Sequence, residues 1–323
     1  MENTTEKKRE TVNVIFATDK KYLPYTSVAI ISLSEKSTSD FEYDVYVLSS
    51  ELDESDLERL HPLVKSNVHV HLKDINGKRR EIRESLVGKL RDYYSESIYY
   101  RIFAPSLLPQ LSRAVYLDSD VVLTNDVAKL YFTDLGEMTV GAVTDESVIS
   151  EPVFARYVTR YLGFNTPDEY FNSGVLLMDF ERMRNDRIEE KFISLLSEDF
   201  RTVAPDQDVL NFILAGKVKY LLPGWNKHPI PDRELPKSRL YLMHFNMFMK
   251  PWRYDGTQNE ELFWFYAMKT HYLSNLLEEK QRFSIEDARR DAASAENLLL
   301  TAKDITENDT PLYERDNFLR MLK

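Results

Sequence analysis

Two aspartates one residue apart, Asp118 and Asp120, stand inside the apolar run VYLDSDVVL at residues 115–123. Such a run reads as a strand buried on both faces, and acids at its end are costly to bury unless something positive offsets them. In extended backbone, residues i and i+2 project to one side, so both carboxylates can converge on one cation. The competing interpretation is a pair of solvated acids at a strand-to-loop exit. His244 adds an imidazole, and Lys250 an ammonium six residues later. Two hard oxygen donors with one imidazole suit Mn2+ or Mg2+ better than Ca2+ or structural Zn2+. Ligands offered from a strand end leave room for a substrate diphosphate, which Lys250 could meet as a point charge. Together, metal and lysine would stabilise a diphosphate leaving group.

Other chemistries find no residues. The chain has no G-x-x-x-x-G-K-[ST], no G-x-G-x-x-G and no G-x-S-x-G, and with nine glycines a glycine-rich phosphate loop is disfavoured. It has no cysteine, which removes disulfides, thiolate metal sites and a thiol nucleophile and fits a reducing cytoplasm. The net charge of -11 argues against a mainly electrostatic hold on nucleic acid, although a bound divalent ion would reverse the sign locally. The N-terminus lacks a signal-type apolar core. No apolar run approaches the ~18 residues of a membrane span. The expectation is a cytoplasmic protein, at most peripheral to the inner face of a membrane.

The elements that would position these groups alternate. Strands are predicted at 12–17, 43–48, 68–72, 138–143, 175–178, 218–221 and 240–244, besides the one carrying Asp118. Helices are predicted at 22–33, 53–63 (capped by Ser55), 93–108, 151–163 and 187–196. Pro205-Asp206-Gln207-Asp208 opens another, with Asp206 or a neighbour as its cap. Alternation indicates βαβ units, a parallel sheet and an α/β fold. Ligands of such sheets bind beyond the carboxyl ends of the strands. Ala17-Thr18-Asp19 lies at one such end and Asp118-Ser119-Asp120 at another. Arg101 is the permanent cation in the apolar half of its helix, read either as a structural cover or as an anion binder. Trp225 opens a proline-rich loop and is either a sugar platform or a buried ring. Beyond residue 258 the strands cease. Helical patterns at 260–281, 285–303 (with a Ser284–Asp287 capping box) and 312–322 suggest a helical appendage over 259–323 on a catalytic domain of 1–258.

Six blocks in order, FATDKKYLPYTSVAIISL, YYRIFAPSLLP, VYLDSDVVL, YFNSGVLLMDF, PDQDVLN and HFNMFMKPW, span residues 12–252. Together they resemble glycosyltransferase family 8, which includes bacterial lipopolysaccharide galactosyltransferases and glycogenin. The resemblance implies a GT-A fold and a Mn2+-dependent retaining transfer of galactose or glucose from a UDP-sugar to a glycan or glycoprotein-linked sugar. By position, Asp118, Asp120 and His244 would ligate the metal. Ala17, Thr18, Asp19 and Tyr22 would hold the uridine, with Tyr22 stacking on the base. Arg101, Ser119, Asn172 with Ser173, and Asp206 would contact ribose or donor sugar. Gln207 would sit by the anomeric carbon, and Lys250 would bind diphosphate. Retention in the family has no settled nucleophile, and a neutral Gln207 amide attacks weakly. One departure stands out: Met247 occupies the place of the glycine in H-x-x-G-x-x-K-P-W, which would shift the loop or remove a backbone contact. The tail mixes both charge signs, so a tight hold on an anionic membrane is not expected; acceptor docking or pairing with a second copy fits better. Two other readings remain: a catalytically silent nucleotide-sugar-binding scaffold, and a metal-dependent diphosphatase or nucleotidyltransferase.

Overall fold

In the computed structural model, residues 9–78, 96–198, 200–230 and 233–315 are described. Among the described residues nine strands form two sheets. The larger contains β1 (Thr11–Ala17), β2 (Glu42–Ser49), β3 (Val68–Asp74), β4 (Arg113–Leu117), β6 (Val140–Thr144), β7 (Phe171–Asp179) and β8 (Val218–Tyr220), in the order β3-β2-β1-β4-β7-β6-β8. The smaller pairs β5 (Val121–Leu123) with β9 (Leu242–His244). The expected parallel sheet is interrupted once: β7 runs antiparallel to both β4 and β6.

The central strands are mostly apolar because both their faces are covered. In β1, Val12, Val14 and Phe16 join a core with Ala29, Ile30 and Leu33 of the helix Leu23–Lys36. Ile15 and Ala17 face the opposite core, with Ile102 and Phe103 of the helix Tyr100–Leu107. Each fully buried aliphatic or aromatic side chain contributes roughly 1.5–3 kcal/mol. At the sheet edge β3 has one wet face, where His69 lies 3.1 Å from Glu42 and His71 2.9 Å from Asp44.

Several boundaries differ from the sequence expectations. The run 115–123 is two strands, not one, because β4 leaves the large sheet and β5 enters the small one. The helix expected over 53–63 ends at Glu58 and is followed by a 3-10 turn at His61–Leu63; Asp53, not Ser55, is its cap, accepting from Ser55 and Asp56 N–H. The segment 151–163 starts as an α-helix and continues as a π-helix at Val158–Leu162, closed by Gly163 at φ 90°. Residues 260–281 split into Glu260–Ala267 and Leu273–Arg282. Leu312–Glu314 is a single 3-10 turn, and the rest of the expected 312–322 helix lies outside the described residues except Arg315. The Ser284–Asp287 capping box is present and opens a long helix, Ile285–Asn308.

The C-terminal helices pack into the cores of the strand-bearing part. Trp252 is buried and stacks on Tyr25 at 4.1 Å, with Phe263 of the helix Glu260–Ala267 on its other side at 4.8 Å. Among the described residues no helix is long and apolar enough to cross a membrane.

Candidate active site

The junction between the two sheets is where Asp118, Ser119 and Asp120 sit. Asp118 N–H donates to Gly174 O at 2.8 Å, and Asp120 O accepts from Phe245 N–H at 2.9 Å. The turn is therefore tied to β7 on one side and to the end of β9 on the other. Pairing of Val121 with His244 across β5 and β9 then sets the imidazole beside Asp120. His244 Nε2 lies 3.1 Å from Asp120 Oδ1 and 3.8 Å from Asp118 Oδ2. The three donor atoms lie within 4.8 Å of one another, a group able to hold a metal ion.

Hydrogen bonding around this group fixes the imidazole tautomer. Asp145 can only accept, so the Asn172 amide nitrogen points at it (3.0 Å). The Asn172 oxygen therefore faces the Gly174 N–H (3.0 Å) and the Asn226 amide nitrogen (2.9 Å). That leaves the Asn226 oxygen to accept from His244 Nδ1 at 2.8 Å. His244 thus turns an Nε2 lone pair toward two carboxylates, an arrangement that favours a cation between them. Gly174 completes the fit. A Cβ there would run into the His244 ring and lie 2.6 Å from Asp118 Oδ2.

Two cations are buried against the acids. Lys250 Nζ contacts both Asp120 Oδ2 and Phe245 O. Burial would raise the pKa of Asp120, but the Lys250 ammonium against it outweighs burial and holds the carboxyl below its usual range. Arg101 lies 2.9 Å from Asp118 Oδ1 and 3.7 Å from Asp206 Oδ2, donates to Ser173 Oγ at 3.0 Å, and covers the Tyr116 ring at 4.6 Å. Arg101 thereby ties the helix Tyr100–Leu107 to the site, which is its structural role. Burial and neighbouring Asp118 raise the pKa of Asp206 against the pull of Arg101.

Gln207 is held on three sides. Its oxygen accepts from Ser173 N–H at 2.9 Å, and its nitrogen reaches Asp145 Oδ2 at 3.0 Å and Tyr170 OH at 3.2 Å. The helix bearing it, Pro205–Ile213, is anchored not by Asp206 but by Asp208, which accepts from Val203 N–H at 2.9 Å, Ala204 N–H at 3.0 Å, Tyr157 OH at 2.8 Å and Tyr170 OH at 2.6 Å. Even so, burial pushes Asp208 up to about 6 from an ordinary 3.8. Since the folded pKa exceeds the unfolded one, its contribution is full below about pH 4 and is lost as pH rises through 6. By linkage the loss is roughly 3 kcal/mol. Asp208→Asn, which keeps the shape, should flatten the urea-unfolding stability between pH 4 and 7; parallel wild-type and variant curves would contradict this.

The remaining candidates cluster on the other side of the Asp118–Asp120 turn. Thr26 Oγ1, from the helix Leu23–Lys36, lies 2.8 Å from Thr18 Oγ1 and 2.9 Å from Ser119 Oγ, while Ser119 Oγ donates to Ala17 O at 3.1 Å. Asp19 Oδ1 accepts from Tyr22 N–H at 2.8 Å, and the half-buried Tyr22 ring meets Tyr25 edge-on at 5.2 Å. Met247 adopts left-handed backbone of the kind that favours glycine, with φ 56°, and its side chain is exposed. Trp225 is buried against Tyr241 at 5.1 Å, the packing alternative of the two.

A cavity of about 200 Å³ opens beside the acids, with Arg101, Asp118, Asp120, Asn172, Asp206 and Gln207 among its lining residues. Sequence reasoning missed Asn226, Asp145 and Gly174 as parts of this site. Asparagines and aspartates in loops give no periodic signal, and closeness of a glycine to a ligand group is visible only in three dimensions.

Residues 13–256 match the family model described as glycosyl transferase family 8. The chain is 28% identical over 257 residues to the lipopolysaccharide 1,2-glucosyltransferase of Escherichia coli (strain K12), covering 75% of this chain and 73% of that protein. It is 29% identical over 229 residues to general stress protein A of Bacillus subtilis (strain 168), covering 68% and 75%. The structure of the galactosyltransferase LgtC in complex with donor and acceptor sugar analogs superposes with a TM-score of 0.68 at 23% identity, over 80% of this chain and 96% of that one. The WbbM bifunctional glycosyltransferase superposes with a TM-score of 0.70 at 21% identity, over 84% of this chain and 52% of that one. These two likenesses establish the GT-A fold, here with C-terminal helices added. The chain belongs to glycosyl transferase family 8.

Proposed function

We propose that the protein is a UDP-hexose-dependent retaining hexosyltransferase that moves glucose or galactose to a sugar already carried on a glycan or glycoprotein. The observation that carries the reading is the meeting of Asp118, Asp120 and His244 in one cavity with Asp206 and Gln207. A Mn2+ or Mg2+ ion on those three ligands would offset the charge of the diphosphate leaving group.

The chain's own residues account for the rest. Lys250, now paired with Asp120, is placed to share its charge with a phosphate oxygen. Arg101 bridges Asp118 and Asp206, so that Asp206, Asn172 and Ser173 can meet donor hydroxyls. Ala17, Thr18, Asp19 and Tyr22 hold the uridine, with Ser119 toward the ribose. Gln207 is unsuited as a nucleophile, because its oxygen is neutral and already accepts from Ser173 N–H. An acceptor hydroxyl instead attacks the anomeric carbon from the face the phosphate leaves. The new C–O bond forms as the old one breaks, and the hydroxyl proton passes to the departing phosphate oxygen. Gln207 stabilises the positive charge that develops on the ring. The cysteine-free composition supports a reducing, cytoplasmic setting.

Incubation with Mn2+, a panel of UDP-sugars and acceptor glycans should release UDP from UDP-glucose or UDP-galactose, faster with acceptor than without. No UDP from any donor would leave the silent scaffold; UMP would point to a diphosphatase.

A further inference from the structure

The family match stops at residue 256, yet the long helix Ile285–Asn308 beyond it contributes Leu298 to the catalytic cavity. Leu298 is 3% exposed and lies on one stripe with Ala302 and Ile305, all three buried in the core that also holds Tyr157 and Val158. The helix spans the site. Toward its N-terminal end Asp291 accepts from Tyr254 OH at 3.1 Å and lies 3.3 Å from Arg253, three residues after Lys250. Near its C-terminal end Asp304 and Asp309 each lie 2.7 Å from Arg201, in the segment leading to Gln207. The Arg201 pairs are exposed and screened by solvent, and the Arg253–Asp291 pair is only partly buried; the apolar stripe is what holds the helix in place.

The cavity lining is of two chemical kinds. Asp118, Asp206 and Gln207 are polar, whereas Val148, Phe154 and Leu298 are apolar and come from the helices Glu146–Ser150, Pro152–Tyr157 and Ile285–Asn308, the second of which packs against the other two. A pyranose ring is similarly two-sided, with hydroxyls around its edge and a face of C–H groups. Among the polar groups the donor hexose finds its partners. Whatever attacks its anomeric carbon must occupy the remaining space, against the apolar side chains. We infer that Leu298, with Phe154 and Val148, forms the acceptor subsite and takes the C–H face of an acceptor pyranose, making the C-terminal helix the element that selects the acceptor. The inference rests on the hexosyltransferase reading above. It gives a role to a helix that lies beyond the family match.

The test uses the full-length protein, UDP-sugar and a panel of methyl hexopyranosides as acceptors. Leu298→Ala removes the contact, and Leu298→Val removes less of it should the alanine variant fail to fold. For the best acceptor, KM should rise about tenfold in the folded alanine variant, the scale of a lost apolar contact in a substrate pocket. The KM for UDP-sugar should move less than twofold. Leu298→Met, of similar volume, should restore the acceptor KM. A residue that merely packs would shift the melting temperature without splitting the two KM values. An unchanged acceptor KM in the folded alanine or valine variant overturns the inference, as does a parallel rise in both. No UDP release by wild type with any donor would instead fail the hexosyltransferase reading, before Leu298 is tested.

Discussion

Asp120→Asn should lower Mn2+-dependent UDP release by more than about 100-fold while the protein stays folded. The magnitude follows because loss of even an outer partner costs up to about that factor in metal affinity or activity, and Asp120 offers its oxygen directly to the cluster. Persistence of the fold follows from the hydrogen bonds. An asparagine oxygen can accept from Lys250 Nζ, and its nitrogen can donate to the His244 Nε2 lone pair, where the carboxylate now lies 3.1 Å away. The metal-free variant is thus as well satisfied as wild type, whereas the site has lost a negative ligand. Calorimetric titration with Mn2+ and a thermal melt separate the two effects. Normal turnover of the variant would show that the ion sits elsewhere.

Gly174→Ala should be nearly as damaging, for a steric reason. The added Cβ would strike the His244 ring and stand 2.6 Å from Asp118 Oδ2, so two of the three donors must move. A misplacement on the order of 1 Å costs about 10²-fold in rate, and overpacking a core costs about 1–3 kcal/mol in stability. Gly141 supplies the control. A Cβ there would meet only the flexible ends of Leu135 and Leu221, at 3.1 and 3.2 Å, apart from ordinary contact with Leu177. Gly141→Ala should leave Mn2+ affinity within threefold of wild type, and Gly174→Ala should not. Equal Mn2+ affinity in the two variants would remove the proposed cradle.

The difference between these glycines marks a general boundary. Both lie in apolar strand runs and look alike in sequence. Their surroundings differ because β7 is hydrogen-bonded to the junction turn, Gly174 O accepting from Asp118 N–H, whereas β6 lies one strand farther from β4. Lys250 is a similar case: its spacing from His244 suggested a phosphate partner, but gave no sign of the buried contact with Asp120.

What the sequence determined by itself is whatever depends on near neighbours along the chain. Apolar runs and alternation placed the strands and most helices, the Ser284–Asp287 pair announced a helix start, and the six ordered blocks carried the GT-A expectation. The break within 115–123 was not legible, since the residues on both sides are equally apolar and only pairing with β9 decides where one sheet ends. Nor was the reversal of β7, because a buried strand reads the same in either direction. Tertiary structure alone decided that Asn226 orients His244, that Asp145 orients Gln207, and that Leu298 reaches the cavity. Each of these joins groups tens to hundreds of residues apart through single contacts that leave no periodicity. Asp118 and Asp120 marked the candidate site; the sheet junction decided what surrounds them.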